Sequence, residues 1–222
     1  MQDLELLKKV PLFQNLSPRE LMAVKDSANI LKLPKQNILF CEGDKGDALF
    51  LILKGKVKAF LLAEDGREVI LSFMGQGEIV GEMAIFDLEE RRSATVETIE
   101  DCEFLTITGD KFIKVLEGNP QISLNVLKTL SSRLRETSSR IRSLIFLDTY
   151  SRVGRYLLDR AKTDGRELAD GSVLVTRPTH EDIANFIGTS RETVSRSLKE
   201  LESQGLLRNV GRKVILYKIR KV

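Results

Sequence analysis

The sequence predicts an α+β chain in three parts: an N-terminal antiparallel β jelly roll over residues 1–118, a long helix over 119–147 and a winged helix–turn–helix over 148–222. Three observations predict it. Between Leu33 and Ile107 the apolar residues come in short runs separated by glycine turns. Residues 121–147 contain neither Pro nor Gly and repeat their apolar positions at helical spacing. In residues 179–198 a small residue, a glycine and four aliphatics fall where two short crossed helices need them.

Taken in order, residues 4–30 read as short helices, one of them starting at Ser17-Pro18-Arg19-Glu20, with Ser at the cap, Pro at the first position and Glu three after the cap. Apolar runs then follow at 38–40, 48–53, 57–62, 69–73, 94–96 and 104–107. Glu42-Gly43-Asp44, Lys54-Gly55, Asp65-Gly66 and Gly75-Gln76-Gly77 break them, and Asp65-Gly66 is a hairpin signal. Short strands so punctuated predict a sandwich or jelly roll. A short helix at 110–117 leads to Asn119-Pro120, where the long helix begins; it should extend roughly 40 Å. Leu127, Leu130, Leu134, Thr137, Ile141 and Leu144 are spaced 3, 4, 3, 4 and 3, a heptad seam for a partner helix. Thr137 and Ser138 put hydroxyls into that seam, either to set register or to receive something polar. Beyond Leu147 a helix at 148–162, a loop at 163–171, a strand at 172–176, two short helices and a hairpin turning at Gly211-Arg212 complete the chain.

Composition narrows the function. The net charge of +3 hides an asymmetry: residues 1–147 hold 20 Lys/Arg against 22 Asp/Glu, and residues 148–222 hold 15 against 10. The basic C-terminal part suits a polyanion. Cys41 and Cys102 are far apart, and His180 is the single histidine. Neither a disulfide framework, an iron–sulfur cluster, a structural zinc nor a multi-histidine metal site is expected. No apolar run is long enough to span a membrane, and residues 1–10 are too charged for a signal-peptide core. A cytoplasmic location is therefore expected, with no membrane partner.

The segment 75–96, GQGEIVGEMAIFDLEERRSATV, interrupts an apolar run with Gly81-Glu82-Met83-Ala84 and returns eleven residues after Gly81 with Arg92-Ser93-Ala94. A turn with free N–H groups, one guanidinium and one hydroxyl suits a phosphate. A carboxylate beside them suits a sugar hydroxyl. Spacing equally permits a plain Arg92–Glu82 salt bridge tying the turn down. An enzyme built on Glu82, Glu89, Glu90 and the nearby arginines would commonly need a metal held by histidines, and residues 1–179 contain none.

In residues 179–198, Ala184 and Gly188 take the small and turn positions, and Ile183, Ile187, Val194 and Leu198 the core. Thr179 with Asp182, and Thr189 with Glu192, resemble capping boxes. The second helix should start near Ser190 and expose Arg191, Glu192, Ser195, Arg196 and Lys199. Arginine fits the guanine O6/N7 pair and glutamate the cytosine amine, so this face fits a major groove. Thr179 belongs to the same DNA-binding set, and His180 and Lys199 would lie near phosphate or on plain surface, with Gly211-Arg212-Lys213 as a wing tip over the backbone.

These two segments resemble, respectively, the phosphate-binding cassette of cyclic-nucleotide-binding domains and the recognition helix of the CRP/FNR superfamily of bacterial transcription regulators, closest to its cyclic-AMP-receptor branch. The resemblance runs over residues 33–217. It implies a cyclic nucleotide, cyclic AMP foremost, as the allosteric ligand at Gly81-Glu82-Met83-Ala84, with Glu82 on the ribose 2′-hydroxyl and Arg92 and Ser93 on the cyclic phosphate. Thr137 and Ser138, one from each subunit, would meet a base that this pair does not fix. The alternative is the same architecture sensing another small molecule or acting without one. It further implies a homodimer joined through Leu127, Leu130, Leu134, Ile141 and Leu144, a double-stranded DNA operator and RNA polymerase as partners, and no enzyme activity. Iron–sulfur sensing in the superfamily needs a cluster of mostly N-terminal cysteines, of which residues 1–40 have none, and haem sensing needs histidine or cysteine ligands in the sensor domain, which has no histidine. In the recognition helix, Arg191, Glu192 and Arg196 imply a TGTGA-type half-site, whereas Glu192-x-x-Ser195-Arg196 resembles the branch that prefers TTGAT. A TGA-like core is common to both.

Overall fold

The structure, a computed structural model, describes residues 10, 13, 16–26 and 28–217. The short helices expected before Leu16 fall mostly outside those residues. The chain divides into two compact units, Met1–Leu134 and Arg135–Val222, and the division falls within the long helix.

The first unit opens with α1 (Pro18–Asp26), starting at the expected proline. Its strands are β1 (Ala28–Leu33), β2 (Ile38–Phe40), β3 (Ala48–Lys54), β4 (Val57–Leu62), β5 (Glu68–Met74), β6 (Ile79–Val80), β7 (Thr95–Thr98) and β8 (Cys102–Thr108). They form two four-stranded sheets, ordered β1-β8-β3-β6 and β2-β7-β4-β5, antiparallel throughout. The short α2 (Met83–Phe86) follows β6, α3 (Gly109–Gly118) follows β8, and α4 (Pro120–Phe146) is the long helix. The Asp65-Gly66 hairpin forms between β4 and β5, closed by Ala63 N–H to Arg67 O at 2.9 Å.

The packing of strand β3 explains why its first six residues, ALFLIL, are continuously apolar. Ala48, Phe50 and Ile52 join Val57, Ala59, Val96 and Phe104 in the core between the sheets. Leu49, Leu51 and Leu53 turn the other way and pack with Leu21, Val24, Phe112, Val115, Ile122 and Val126 from α1, α3 and α4. A strand covered on both faces loses the alternating pattern, and each buried Leu, Ile, Val or Phe among these contributes about 1.5–3 kcal/mol.

Two strands of the first unit differ from expectation, and in the second unit residues 166–167, expected within a loop, pair instead with residues 173–174. Residues 28–30, read as helix, start β1, because Ala28–Leu33 pairs in continuous register with Cys102–Thr108. β6 is two residues long, too short to carry a periodicity. On α4, Leu130 also differs from the expected seam: it is partly buried against its own unit's core. Leu127, Leu134, Ile141 and Leu144 are exposed.

The second unit contains α5 (Thr149–Asp164), β9 (Arg166–Glu167), β10 (Val173–Thr176), α6 (His180–Ile187), α7 (Arg191–Ser203), β11 (Leu207–Val210) and β12 (Lys213–Leu216). Its sheet order is β11-β12-β10-β9, so the expected hairpin at Gly211-Arg212 pairs back onto β10. Val153, Tyr156, Leu157, Ile183, Ile187, Val194, Leu198 and Val214 form the core. The last turns of α4 join this unit through Arg140, whose guanidinium stacks 4.1 Å from the Phe186 ring and donates to Phe186 O at 2.9 Å. Among the described residues, no helix is long and apolar enough to cross a membrane.

Candidate functional site

The segment between β6 and β7 holds six residues expected at a ligand site: Gly81, Glu82, Met83, Ala84, Arg92 and Ser93. Gly81 has φ of 78°, and a Cβ there would sit 2.4 Å from Arg92 Nη1, so only glycine lets the guanidinium approach the turn. Arg92 Nη1 donates to Gly81 O at 2.7 Å. The guanidinium lies 4.3 Å from the Phe40 ring and 5.6 Å from the Phe50 ring. Gly46 packs close to both Ala84 and the Arg92 side chain. Ser93 is exposed, and its hydroxyl contacts only weakly the sulfur of Met83, at 3.6 Å.

Arg92 is 5% exposed, and among the described residues its Nε has no hydrogen-bond partner. Burial pushes its pKa down, while Asp47, Asp44 and Glu82 at longer range push it up. A buried cation with an unspent donor is costly unless an anion completes it. Chemically, the cradle could take an anion beside a carboxylate.

That carboxylate, Glu82, is 1% exposed and does not bond Arg92. Its partner is Arg133 of α4, with Nη1 donating to Glu82 Oε1 at 2.6 Å and Nη2 to Ile79 O at 2.5 Å. The local salt bridge permitted by sequence is therefore replaced by one that ties α4 to the turn. Sequence inspection missed Arg133, since a cation on a long helix reads as solvated surface. Thr137 and Ser138 follow it on α4 and are exposed.

The second site is the outer face of α7. Arg191, Glu192, Arg196 and Lys199 are exposed and Ser195 is half-buried, while Val194, Ser197, Leu198 and Leu201 face the core. Thr179 caps α6 in a full capping box with Asp182, as expected. The cap of α7 is Ser190, which accepts from Thr193 N, rather than Thr189. The reason is that Thr189 N–H already closes the end of α6 on Ala184 O at 3.0 Å. Thr193 Oγ1 also receives Arg196 Nη2 at 3.3 Å, which holds that guanidinium along the helix. The Glu192 carboxyl is kept below its usual range by its own backbone N–H, then by the Ser190 hydroxyl, Arg191 and Arg196. Two further residues enter from the segment before α7. Arg177 donates to Gly211 O at 3.1 Å, binding the wing tip, and His180 Nδ1 lies 2.7 Å from Ser195 Oγ.

Comparison with known proteins agrees with both halves. Residues 30–119 match the cyclic nucleotide-binding domain family, and residues 151–221 match the Crp-like helix-turn-helix domain family. The CRP-like cAMP-activated global transcriptional regulator of Mycobacterium tuberculosis is 34% identical over 213 residues, 96% of this chain and 94% of the relative. The cAMP-activated global transcriptional regulator CRP of Salmonella typhimurium is 35% identical over 193 residues, 86% of this chain and 91% of the relative. Among solved structures, the c-di-GMP responsive regulator CLP of Xanthomonas campestris matches with a TM-score of 0.79 at 27% identity, covering 91% of this chain and all of that one. The catabolite activator protein of Thermus thermophilus matches with a TM-score of 0.56 at 32% identity, covering 93% of each chain.

Proposed function

This chain belongs to the CRP/FNR family of DNA-binding transcription regulators, and we propose that cyclic AMP, bound at the Glu82–Arg92 cradle, is what governs it. The observation that carries this reading is Arg92: a buried guanidinium with an unpartnered Nε beside an exposed hydroxyl, Ser93. A cyclic phosphate supplies the missing acceptors, and charge-assisted bonds of this kind are roughly twice as strong as neutral ones. The ribose 2′-hydroxyl donates to Glu82, whose Oε1 is already held by Arg133. Thr137 and Ser138 meet the base.

Arg133 gives the ligand a route to the long helix. Whatever moves the Glu82 carboxylate changes the geometry in which α4 is anchored. The nucleotide acts only insofar as it binds the DNA-competent arrangement more tightly than the other. The exposed Leu127, Leu134, Ile141 and Leu144, with Leu130 contributing in part, join two copies along α4. A two-fold homodimer then sets its two α7 helices on half-sites one helical turn apart in a pseudo-palindromic operator. Arg191, Glu192 and Arg196 read the TGA-like core, Ser195 reads beside them, and Thr179, Ser190 and Lys199 hold the backbone. The regulator works in the cytoplasm, with RNA polymerase as its further partner.

The test is thermal stabilisation and calorimetry of the full-length protein with cyclic AMP, cyclic GMP and cyclic di-GMP. Selective binding of cyclic AMP is expected. Because the Xanthomonas campestris relative is c-di-GMP responsive, selective binding of cyclic di-GMP is the result that would overturn the assignment.

A further inference from the structure

The 2.7 Å contact between His180 Nδ1 and Ser195 Oγ joins the first residue of α6 to the middle of α7. His180 is half-buried, and among the described residues its Nε2 is buried without a partner. The charges bearing on the ring are two cations, Arg177 from the segment before α6 and Arg191 from the first turn of α7. On its own helix, Asp182 is taken up by the Thr179 cap, and Glu181 is the other first-turn acid. Burial first, then the two arginines, hold the imidazole pKa below its usual value of 6.5. The ring is neutral at pH 7.

A neutral imidazole has one N–H. Either Nδ1 carries it and donates to Ser195 Oγ, or Nε2 carries it and Nδ1 accepts the serine proton. In the second arrangement an N–H would be buried with nothing to receive it, a rarer and costlier omission than an unused acceptor. The N-terminus of α6 adds a positive field that likewise favours a bare lone pair on the buried nitrogen. The first arrangement therefore prevails. Ser195 then spends a lone pair on His180 and keeps its own proton.

We propose that His180 is a positioning residue for operator choice: its Nδ1–H holds Ser195 so that the hydroxyl meets DNA as a hydrogen-bond donor. The inference rests on reading α7 as the helix in the major groove. A donor at that point favours base edges that accept, guanine O6 or N7 and thymine O4. It disfavours cytosine, whose groove edge offers only an amine.

The experiment selects preferred sites from a randomised duplex pool using the full-length protein, with and without cyclic AMP. Ser195→Ala identifies the base position that Ser195 reads. His180→Leu should lose about three- to tenfold in preference at that same position, with other positions intact. The double variant should add nothing to Ser195→Ala. His180→Asn, which offers an amide N–H, should restore most of the preference. A uniform loss on all duplexes in His180→Leu would make the residue a phosphate contact or a packing residue and overturn the proposal. If Ser195→Ala and Arg196→Ala leave the selected site unchanged, the groove reading of α7 fails and the proposal falls with it. A readout free of DNA also applies. With a single histidine, a long-range 1H–15N spectrum of the labelled wild-type protein contains one imidazole. A protonated Nδ1 in the neutral ring is expected, and a protonated Nε2 refutes the proposal whatever the variants do.

Discussion

In the jelly-roll cradle Glu82 and Arg92 are 1% and 5% exposed, whereas Arg191, Glu192, Arg196 and Lys199 on α7 all lie open to solvent. Charges of the first kind are expensive to keep, so each must be matched, and an unmatched donor such as Arg92 Nε creates the demand that the proposed nucleotide would fill. Charges of the second kind cost little and gain little until a polyanion displaces their water and counterions. On the proposed reading, a small ligand would have leverage in the cradle far beyond its size, and the α7 face would gather its affinity for DNA from many modest contacts.

The sharpest way to break this contrast is Arg133→Met, which leaves the Glu82 carboxylate buried and unpaired. Stability should fall by about 3–5 kcal/mol in urea unfolding; a loss below about 1 kcal/mol would mean that Glu82 behaves like a surface acid. Next in size is Arg92→Ala. Cyclic AMP binding by calorimetry should weaken at least about a hundredfold, the loss of a buried charged partner, with the dimer intact in sedimentation; unchanged binding sinks the cradle assignment. On the open face, Arg196→Ala should cost about 1–3 kcal/mol for the specific operator and little for random duplex. Lys199→Ala should instead weaken all duplexes alike and lower the salt slope by about one. Removing the α7 cap with Ser190→Ala should cost about 1 kcal/mol. The smallest effect concerns His180. Its folded pKa is depressed, so the unfolded chain binds the proton more readily. Its contribution to stability is present above pH 6.5 and declines on acidification below it, a slope in urea midpoint that His180→Gln should remove.

Legibility followed the range of the forces involved. The long helix was readable to within a residue because its limits are local: a proline start and an unbroken run without glycine or proline. The α6 capping box and the β4–β5 hairpin were readable for the same reason. β1 was not, since its strand character comes from pairing with residues some 70 positions away, as in Asn29 with Thr106. The cradle divides in the same manner. Gly81, Glu82, Arg92 and Ser93 stood out as a local cluster, but the partner of Glu82 lies 51 residues on, and nothing in the spacing of α4 marks Arg133. Leu130 fits the heptad seam by spacing, yet spacing does not say which of two apolar surfaces a side chain will choose.

The continuity of α4 from Pro120 to Phe146 has a consequence in helical phase. Arg133 fixes the rotation of the helix at the cradle, and every residue after it inherits that rotation at about 100° per position. One residue inserted after Leu134 would turn Thr137, Ser138 and the remaining seam by about 100° from their bearing. Four inserted residues would restore the bearing to within about 40° while displacing everything beyond by about 6 Å. An insertion series at this point separates what the proposed base contacts of Thr137 and Ser138 need in angle from what they need in distance.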